Sequence, residues 1–402
     1  MELKCVCVLL SRGRAALLSS VQRHTGLTKV LTITGDIATA HDDAPTSPDT
    51  TPPKWLHSEA LRDGGVGLLT SGSVGAPKVV ACSWENMRLQ GQCTHEQLFP
   101  GQPARVICAT SISHAYSINA VFALYTSPSD AGSELCFVPD TTALHSLISS
   151  PAGKRTLLYG TPATYTRLLE FPQGRLYADV PYCAGTRLAR ELFEQTQQHN
   201  GLTLMQNYGS TETGDIAAWH LHGLRFRDEA DNMSSAEEIY VGRLWPGVRV
   251  QVESSGEVLV WTPWQSMGYV VDQELRLRNG APHYTADRGR AVQESDGITS
   301  IWLRGRIRPD IRVAVDGDTR VLAPEHVERV VLAHPDVTDA LALMRPTSES
   351  LVIRIVLRDV AVTSRDELTG WVAEQLEVPH ASVHLEVVEY LPCSPAGKLM
   401  YT

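Results

Sequence analysis

Four short polar stretches, far apart in the chain, hold residues suited to phosphate and carboxylate chemistry. The first is Thr70-Ser71-Gly72-Ser73-Val74-Gly75-Ala76-Pro77-Lys78. Gly72 and Gly75 can take positive φ without a Cβ penalty, so several backbone N–H groups can point into one concavity. Thr70, Ser71 and Ser73 add hydroxyl donors, and Lys78 adds a mobile positive charge. Such a loop suits a polyphosphate. Its spacing is not that of a P-loop, and alone it reads equally as an exposed Ser/Gly turn. The second stretch is Asn207-Tyr208-Gly209-Ser210-Thr211-Glu212, and the third is Tyr284-Thr285-Ala286-Asp287 with Arg306 beyond it. The fourth is Ser394-Pro395-Ala396-Gly397-Lys398. Taken singly, Glu212 reads as a solvated carboxylate, Asp287 beside Arg288 and Arg290 as an ion pair, and Lys398 as a tail lysine.

The elements that must position these stretches follow from periodicity. Strand patterns at Val6–Leu10, Val30–Thr34, Val79–Cys82, Arg105–Thr110, Glu134–Val138, Thr156–Tyr159, 181–185 and Thr203–Gln206 alternate with helical patterns. The helices are expected at Arg14–Gln22, Trp84–Gln97, Asn119–Tyr125 and from Leu188 to the Asn200-Gly201 stop. Residues 42–53 read as an exposed loop, and so do Ser111–Tyr116 and Asn207–Thr213. This alternation indicates an α/β fold with its ligand site at the carboxyl edge of the sheet. A small antiparallel β section follows, with hairpins expected over 248–261 and 290–303. From Gly305 the pattern restarts as a small α+β domain. A helix opens at Pro324 with Val327, Val330 and Val331 on one face, and Leu351–Leu357 is a strand. Ser364 and Glu367 form a capping box before Leu368, Trp371, Val372 and Leu376, and Val383–Val388 is the last strand. The division is placed between residues 1–306 and 307–402.

Composition narrows the class. The chain has 402 residues, with 43% hydrophobic and 20% charged residues, an ordinary globular balance for two or three domains. Its formal net charge of −10 argues against nucleic acid or an anionic membrane as partner. An anionic ligand must therefore be held by local donors. The eight cysteines show no C-x-x-C spacing, so they suggest reduced thiols rather than a metal site or a disulfide framework. No apolar run is long enough for a membrane span or a secretory leader, and a cytoplasmic protein is expected.

The ordered set of motifs resembles the adenylate-forming superfamily of acyl-CoA synthetases, peptide-synthetase adenylation domains and firefly luciferase. Thr70–Lys78 is similar to the family's Thr-Ser-Gly-Ser/Thr-Thr-Gly-x-Pro-Lys loop, and Tyr208–Glu212 to its Tyr-Gly-x-Thr-Glu. Gly242, Pro246, Gly247, Gly256, Glu257, Gly268 and Tyr269 track the intervening landmarks. Asp287 sits at the Thr-Gly-Asp motif, Gly305 and Arg306 at the Gly-Arg before the hinge, and 391–398 at the terminal Leu-Pro…Gly-Lys motif. The resemblance implies a large N-terminal α/β domain and a small mobile C-terminal lid. It also implies attack of a carboxylate on the α-phosphorus of ATP. Thr70, Ser71, Gly72, Ser73, Gly75 and Lys78 would hold the β- and γ-phosphates, and Thr211 the α-phosphate. Glu212 would hold Mg²⁺. Asn207, Tyr208, Gly209, Ala184 and Gly185 would frame adenine, and Asp287 and Arg306 the ribose. Lys398 would meet the charge that builds up between carboxylate and phosphate. CoA or an acyl-carrier-protein phosphopantetheine would then take the acyl group as a thioester.

Substrate and departures come from the same comparison. Amino-acid-activating members place an Asp after the Arg105–Thr110 strand to pair with the ammonium. Here the region reads Ser113-His114-Ala115-Tyr116-Ser117, without a carboxylate. A buried ammonium without a partner is costly, so an aryl or medium acyl acid is expected instead of an α-amino acid. Ala115 stands where aryl-acid enzymes carry the Asn that reads a 2-hydroxyl, which disfavours a salicylate-like acid. The acyl pocket is assigned to His114, Ala115, Tyr116, Thr161, Tyr165, Gly185, Gly209 and Ile216. Val74 removes one loop hydroxyl, and Ala286 replaces a glycine, which is tolerable if its φ is negative. Arg308 occupies the hinge position, and Pro309 beside it restricts rotation. The opening loop comes early, so a shortened N-terminal part is expected. Two other readings fit the residues: an amide-forming adenylate ligase, or a non-catalytic nucleotide- or acyl-binding scaffold of this fold.

Overall fold

In the computed structural model the described residues are 6–8, 30–34, 37–41, 58–70, 78–112, 114–126, 132–138, 140–186, 188–219, 238–315, 317–344, 351–358 and 363–391, with the first three stretches described by backbone alone. The expected helix at Arg14–Gln22, the loop over 42–53, Ser71–Pro77 and the terminal motif with Lys398 lie outside them.

Two sheets carry the large region. The first runs β1(Val6–Val8), β4(Gly65–Leu69), β5(Val79–Ser83), β15(Gly268–Val271) and β16(Glu274–Leu277). Val30–Thr34 (β2) and Ile37–His41 (β3) pair separately as a hairpin. The strands β4 and β5 are buried on both faces. Leu69, Val79 and Ala81 pack with Leu61 and Val270 on one side. Val66, Leu68, Val80 and Cys82 pack with Met87 and Ile118 on the other. These last two residues belong to helices α1(Trp84–Leu98) and α2(Ala115–Tyr125).

The second sheet has eleven strands and two textures. Its parallel half is β10(Met205–Ser210), β9(Val180–Cys183), β8(Arg155–Gly160), β6(Ala104–Cys108) and β7(Glu134–Phe137). Helices α3(Thr141–Ile148), α4(Pro162–Leu168) and α5(Arg190–Asn200) connect these strands. The sheet then continues antiparallel through β11(Gly214–Ala218), β12(Ile239–Leu244), β18(Thr299–Arg306), β17(His283–Gln293), β14(Glu257–Trp261) and β13(Arg249–Val252). The expected antiparallel section is hydrogen-bonded to the α/β half through the β10–β11 hairpin. One apolar core, with Trp219, Trp245, Tyr159, Tyr165, Tyr182 and Phe99 as its largest sealed side chains, runs under both.

Residues from Ile311 onward build their own core. Hairpin β19(Ile311–Val315) and β20(Asp318–Leu322) forms its own two-stranded sheet and shares a core with the three-stranded sheet β21(Val337–Met344), β22(Leu351–Leu357) and β23(Val383–Val387). Against it pack α6(Pro324–Leu332), with Val327 and Val331 buried, and α7(Arg365–Leu376), with Leu368, Val372 and Leu376 buried. Ser364 caps α7 through the expected capping box with Glu367. Arg308 is tied to this unit. Its guanidinium donates to Glu328 at 2.7 and 2.9 Å and to Glu325 at 3.3 Å.

Two boundaries differ from the sequence reading. Ala115 and Tyr116, read as loop, form the first turn of α2, because the His114 carbonyl already accepts from Ser117 and Ile118 N–H. The stretch Asn207–Ser210, read as loop, continues β10, because β11 supplies it with a hairpin partner. Its polar side chains are spent inward, which hides the strand from an apolar pattern.

Ala286 has φ +56°, so the condition for a harmless replacement of glycine is not met. The left-handed region costs a non-glycine residue about 1–2 kcal/mol. Ala286→Gly is accordingly expected to stabilise the protein by about 1 kcal/mol, read as a raised midpoint in urea unfolding. A lowered midpoint would contradict the strain.

Candidate active site

The site is assembled where the large sheet changes from parallel to antiparallel. Gly209 faces Asp215 across the β10–β11 hairpin, and a Cβ on Gly209 would meet the Gly214 carbonyl oxygen at 2.3 Å. Only glycine allows that approach. The turn 210–214 is locked by hydroxyls. Thr213 Oγ1 accepts from Ser210 N–H at 3.2 Å, Ser210 Oγ accepts from Thr213 N–H at 3.2 Å, and Thr262 Oγ1 donates to the Thr213 carbonyl at 2.7 Å. Thr211 and Glu212 stand at the tip of this braced turn, half-buried.

Behind the turn lies a carboxylate that the sequence reading missed. Asp215 is buried and accepts from Asn207 Nδ2 at 2.5 Å and Asn119 Nδ2 at 2.7 Å. Burial raises its pKa above the usual carboxylate range, and the amides of Asn207, Gln90 and Asn119 pull it back. The side chain of Asn207 therefore braces the hairpin, with Trp245 Nε1 donating to its Oδ1 at 3.2 Å. Only its place in the chain, four residues before Thr211, keeps it beside the site.

On the antiparallel side three expected residues converge. Tyr208 donates its hydroxyl to Asp287 Oδ2 at 2.7 Å, and Arg306 donates Nη1 to Asp287 Oδ1 at 2.9 Å. Asp287 and Arg306 are register partners on β17 and β18. The same Arg306 nitrogen reaches the Thr285 carbonyl at 3.1 Å. Burial and the neighbouring Asp287 push the Tyr208 phenol well above its usual pKa, so it remains a proton donor. The Arg306 guanidinium is 45% exposed while the Asp287 side chain is 9% exposed. A polar ligand can therefore reach the cluster from the Arg306 side.

A second cluster surrounds Glu212. Tyr269 donates to Glu212 Oε1 at 3.1 Å. Lys78 Nζ lies 5.5 Å from the Tyr269 ring centre, and the Arg278 guanidinium lies 5.8 Å from it. Arg278 Nη1 also approaches His283 Nδ1 at 3.1 Å. Lys78, at the end of the first motif, and Glu212, at the end of the second, thus meet through one aromatic ring. Burial lowers the His283 pKa from 6.5 to about 4, against the opposing pull of Glu212. The unfolded chain then binds the extra proton first. Stability is expected to fall as pH drops from 6.5 towards 4, and His283→Gln should flatten that part of the profile. An unchanged pH slope in the variant would contradict the assignment.

Among the residues the resemblance assigns to an acyl pocket, Tyr116 leans on Tyr159 and Tyr182 with ring centres 4.9 and 6.4 Å away. Ala184 is buried, and Gly185 takes φ +101° at the end of β9. Thr161 is spent as the N-cap of α4. Ile216 and Tyr165 are sealed in the core, and the Tyr165 hydroxyl donates to the Tyr182 carbonyl at 2.6 Å. The fold thus makes Tyr165 a strut, while Tyr116 keeps an open hydroxyl. His114 caps α2 by its backbone.

Burial pushes the thiols of Cys82, Cys93 and Cys108 up to about 12 and that of Cys183 higher still. These free thiols are not nucleophiles at neutral pH. Tyr269, Arg278, His283, Asn119 and Asp215 were not named from sequence as site residues. Tyr269 alone carried a signal, as part of a family landmark.

Among the described residues no three His, Cys, Asp or Glu side chains gather into a metal site. Glu212 is a single carboxylate with Oε1 held by Tyr269. That fits a magnesium ion arriving with nucleotide phosphates, since Mg²⁺ keeps most of its shell as water and phosphate oxygen.

Comparisons with known proteins bear on the family and the fold. The family model for AMP-binding enzymes matches residues 4–270. The mitochondrial malonate–CoA ligase of Homo sapiens is 23% identical over 438 residues, covering 98% of this chain and 73% of that protein. The sulfoacetate–CoA ligase of Cupriavidus necator is 23% identical over 401 residues, covering 96% of this chain and 75% of that protein. Among solved structures, the O-succinylbenzoate coenzyme A synthetase of Bacillus subtilis, in complex with AMP, superposes with a TM-score of 0.60 at 19% identity. That match covers 84% of this chain and 68% of the other. No described helix is long and apolar enough to cross a membrane.

Proposed function

Because the chain belongs to the AMP-binding enzyme family, we propose that it activates a carboxylic acid with ATP. The acyl-adenylate then passes its acyl group to a thiol, with CoA or a carrier-protein phosphopantetheine as acceptor. The observation that carries this reading is the meeting of Tyr208, Asp287 and Arg306 from three strands, beside the Glu212–Tyr269–Lys78 cluster. Asp287 has lone pairs left for two ribose hydroxyls, and Arg306 can donate to the same sugar. Tyr208 supplies an aromatic face for adenine. Lys78 and the loop before it take the outer phosphates, and Thr211 takes the α-phosphate.

Both reactants are anionic, so the site must hold them in line and offset their repulsion. Glu212 would hold Mg²⁺, which on binding supplies positive charge to the phosphate oxygens. Lys398 brings a cation to the reacting oxygens. Bringing it there requires the unit from residue 307 onward to act as a lid, with Arg308 and Pro309 as its hinge. The ion pairs of Arg308 with Glu325 and Glu328 support counting that residue with the lid. The substrate is an aryl or medium acyl acid, since the His114–Tyr116 turn offers no carboxylate for an ammonium. A cytoplasmic setting fits the five free thiols among the described residues.

Product analysis tests the reading. Incubation with ATP, magnesium, a panel of acids and CoA should release AMP and pyrophosphate in an acid-dependent manner. Release of ADP, or hydrolysis that ignores every acid, would overturn it.

A further inference from the structure

Three tyrosine rings meet near the carboxyl edge of the parallel strands, and among the described residues their hydroxyls have no acceptor. Tyr159 of β8 and Tyr182 of β9 are register partners, and their rings stack with centres 5.5 Å apart at 15°. Tyr116 leans on both from the first turn of α2. All three hydroxyls are buried, and none has a hydrogen-bond partner among the described residues. The neighbouring Tyr165 shows what the fold does with a structural phenol, whose hydroxyl meets two backbone carbonyls. A buried polar group left unpaired costs about 1–3 kcal/mol, and three in contact are more than a sealed core tolerates without a purpose. Asp215 acts on Tyr159 and Tyr182, and the groups acting on Asp215 are amides, with no cation among them.

We propose that Tyr116, Tyr159 and Tyr182 are the specificity-determining floor of the acyl pocket, selecting an acid whose far end carries an uncharged hydrogen-bond acceptor such as a ketone, ether or hydroxyl oxygen. This rests on the acid-activating reading above. Such an oxygen completes the phenol O–H groups when it enters. An alkyl tail of the same length leaves them unpaired. A second carboxylate at the tail meets donors but also the like charge of Asp215, which raises the cost of its desolvation.

The test is ATP–pyrophosphate exchange on size-matched acids. A keto acid is run against the alkyl acid and the dicarboxylic acid of equal chain length, and a methoxy-aryl against an ethyl-aryl acid. The oxygen-bearing, uncharged member of each set should exceed its partners by about tenfold or more in kcat/KM. Tyr159→Phe and Tyr182→Phe should each collapse that ratio by raising KM for the oxygen-bearing acid, with KM for ATP unchanged. Both variants should also unfold no earlier than the parent, since each loses an unpaired group. Equal rates within the sets, a preference for the dicarboxylic acid, or a ratio untouched by both variants would overturn the inference while leaving acid activation standing. Absence of exchange with every acid would overturn the acid-activating reading itself.

Discussion

Asp287→Ala is expected to weaken ATP binding by about a hundredfold, from the loss of two charge-assisted hydrogen bonds to the ribose at roughly 1.5 kcal/mol each. The argument is geometric. Asp287 holds its carboxylate between the Tyr208 hydroxyl and the Arg306 guanidinium, and Asp287 N–H is anchored on Thr285 Oγ1 at 3.1 Å. The alanine variant also frees the Tyr208 ring, which then presents no fixed face to adenine. Arg306 is half-exposed and can be rehydrated, so the fold should lose only about 1–2 kcal/mol. Titration calorimetry with ATP separates the two effects. A dissociation constant equal to that of the parent would remove Asp287 from the nucleotide site.

Lys398→Ala carries the second large effect. The lysine is assigned to the charge that builds up as carboxylate and α-phosphate join, where removing one preorganised charge partner costs about 10²–10³ in rate. Adenylation should fall by that order. Thioester formation from a preformed acyl-adenylate should stay within a few-fold, because the charge Lys398 is assigned to offset, between carboxylate and α-phosphate, does not build up in that step. Equal loss in both half-reactions would contradict the role. The split also probes the proposed hinge, where Arg308 is held to α6 by Glu328 and Pro309 restricts its own φ.

Much of this arrangement was legible from residue types in order. The strand–helix alternation placed the sheet. The first three polar stretches named Lys78, Tyr208, Glu212, Asp287 and Arg306, which the fold brings into two neighbouring clusters. The illegible part has physical reasons. Asn207–Ser210 is a strand whose side chains are polar because they serve the site and the buried Asp215, so period-two apolar alternation is absent. Asp215 itself looked like one surface carboxylate among many. Its partners Gln90 and Asn119 lie on α1 and α2, and only the packing of those helices on the sheet joins them. The positive φ of Ala286 is set by the register of β17 against β14 and β18, which no local pattern reveals. The resemblance assigns Tyr165 to the acyl pocket. Its hydroxyl is satisfied by backbone, whereas Tyr159 and Tyr182, read only as strand residues, keep theirs open.

The central claim is that a carboxylate attacks ATP here before any thiol takes part. Exchange of labelled pyrophosphate into ATP, measured with magnesium and a carboxylic acid but with no CoA and no carrier protein, tests it most directly. The account predicts exchange that requires the acid and disappears in Lys398→Ala. Exchange that appears only once a thiol is added, or that proceeds without any acid, would contradict it.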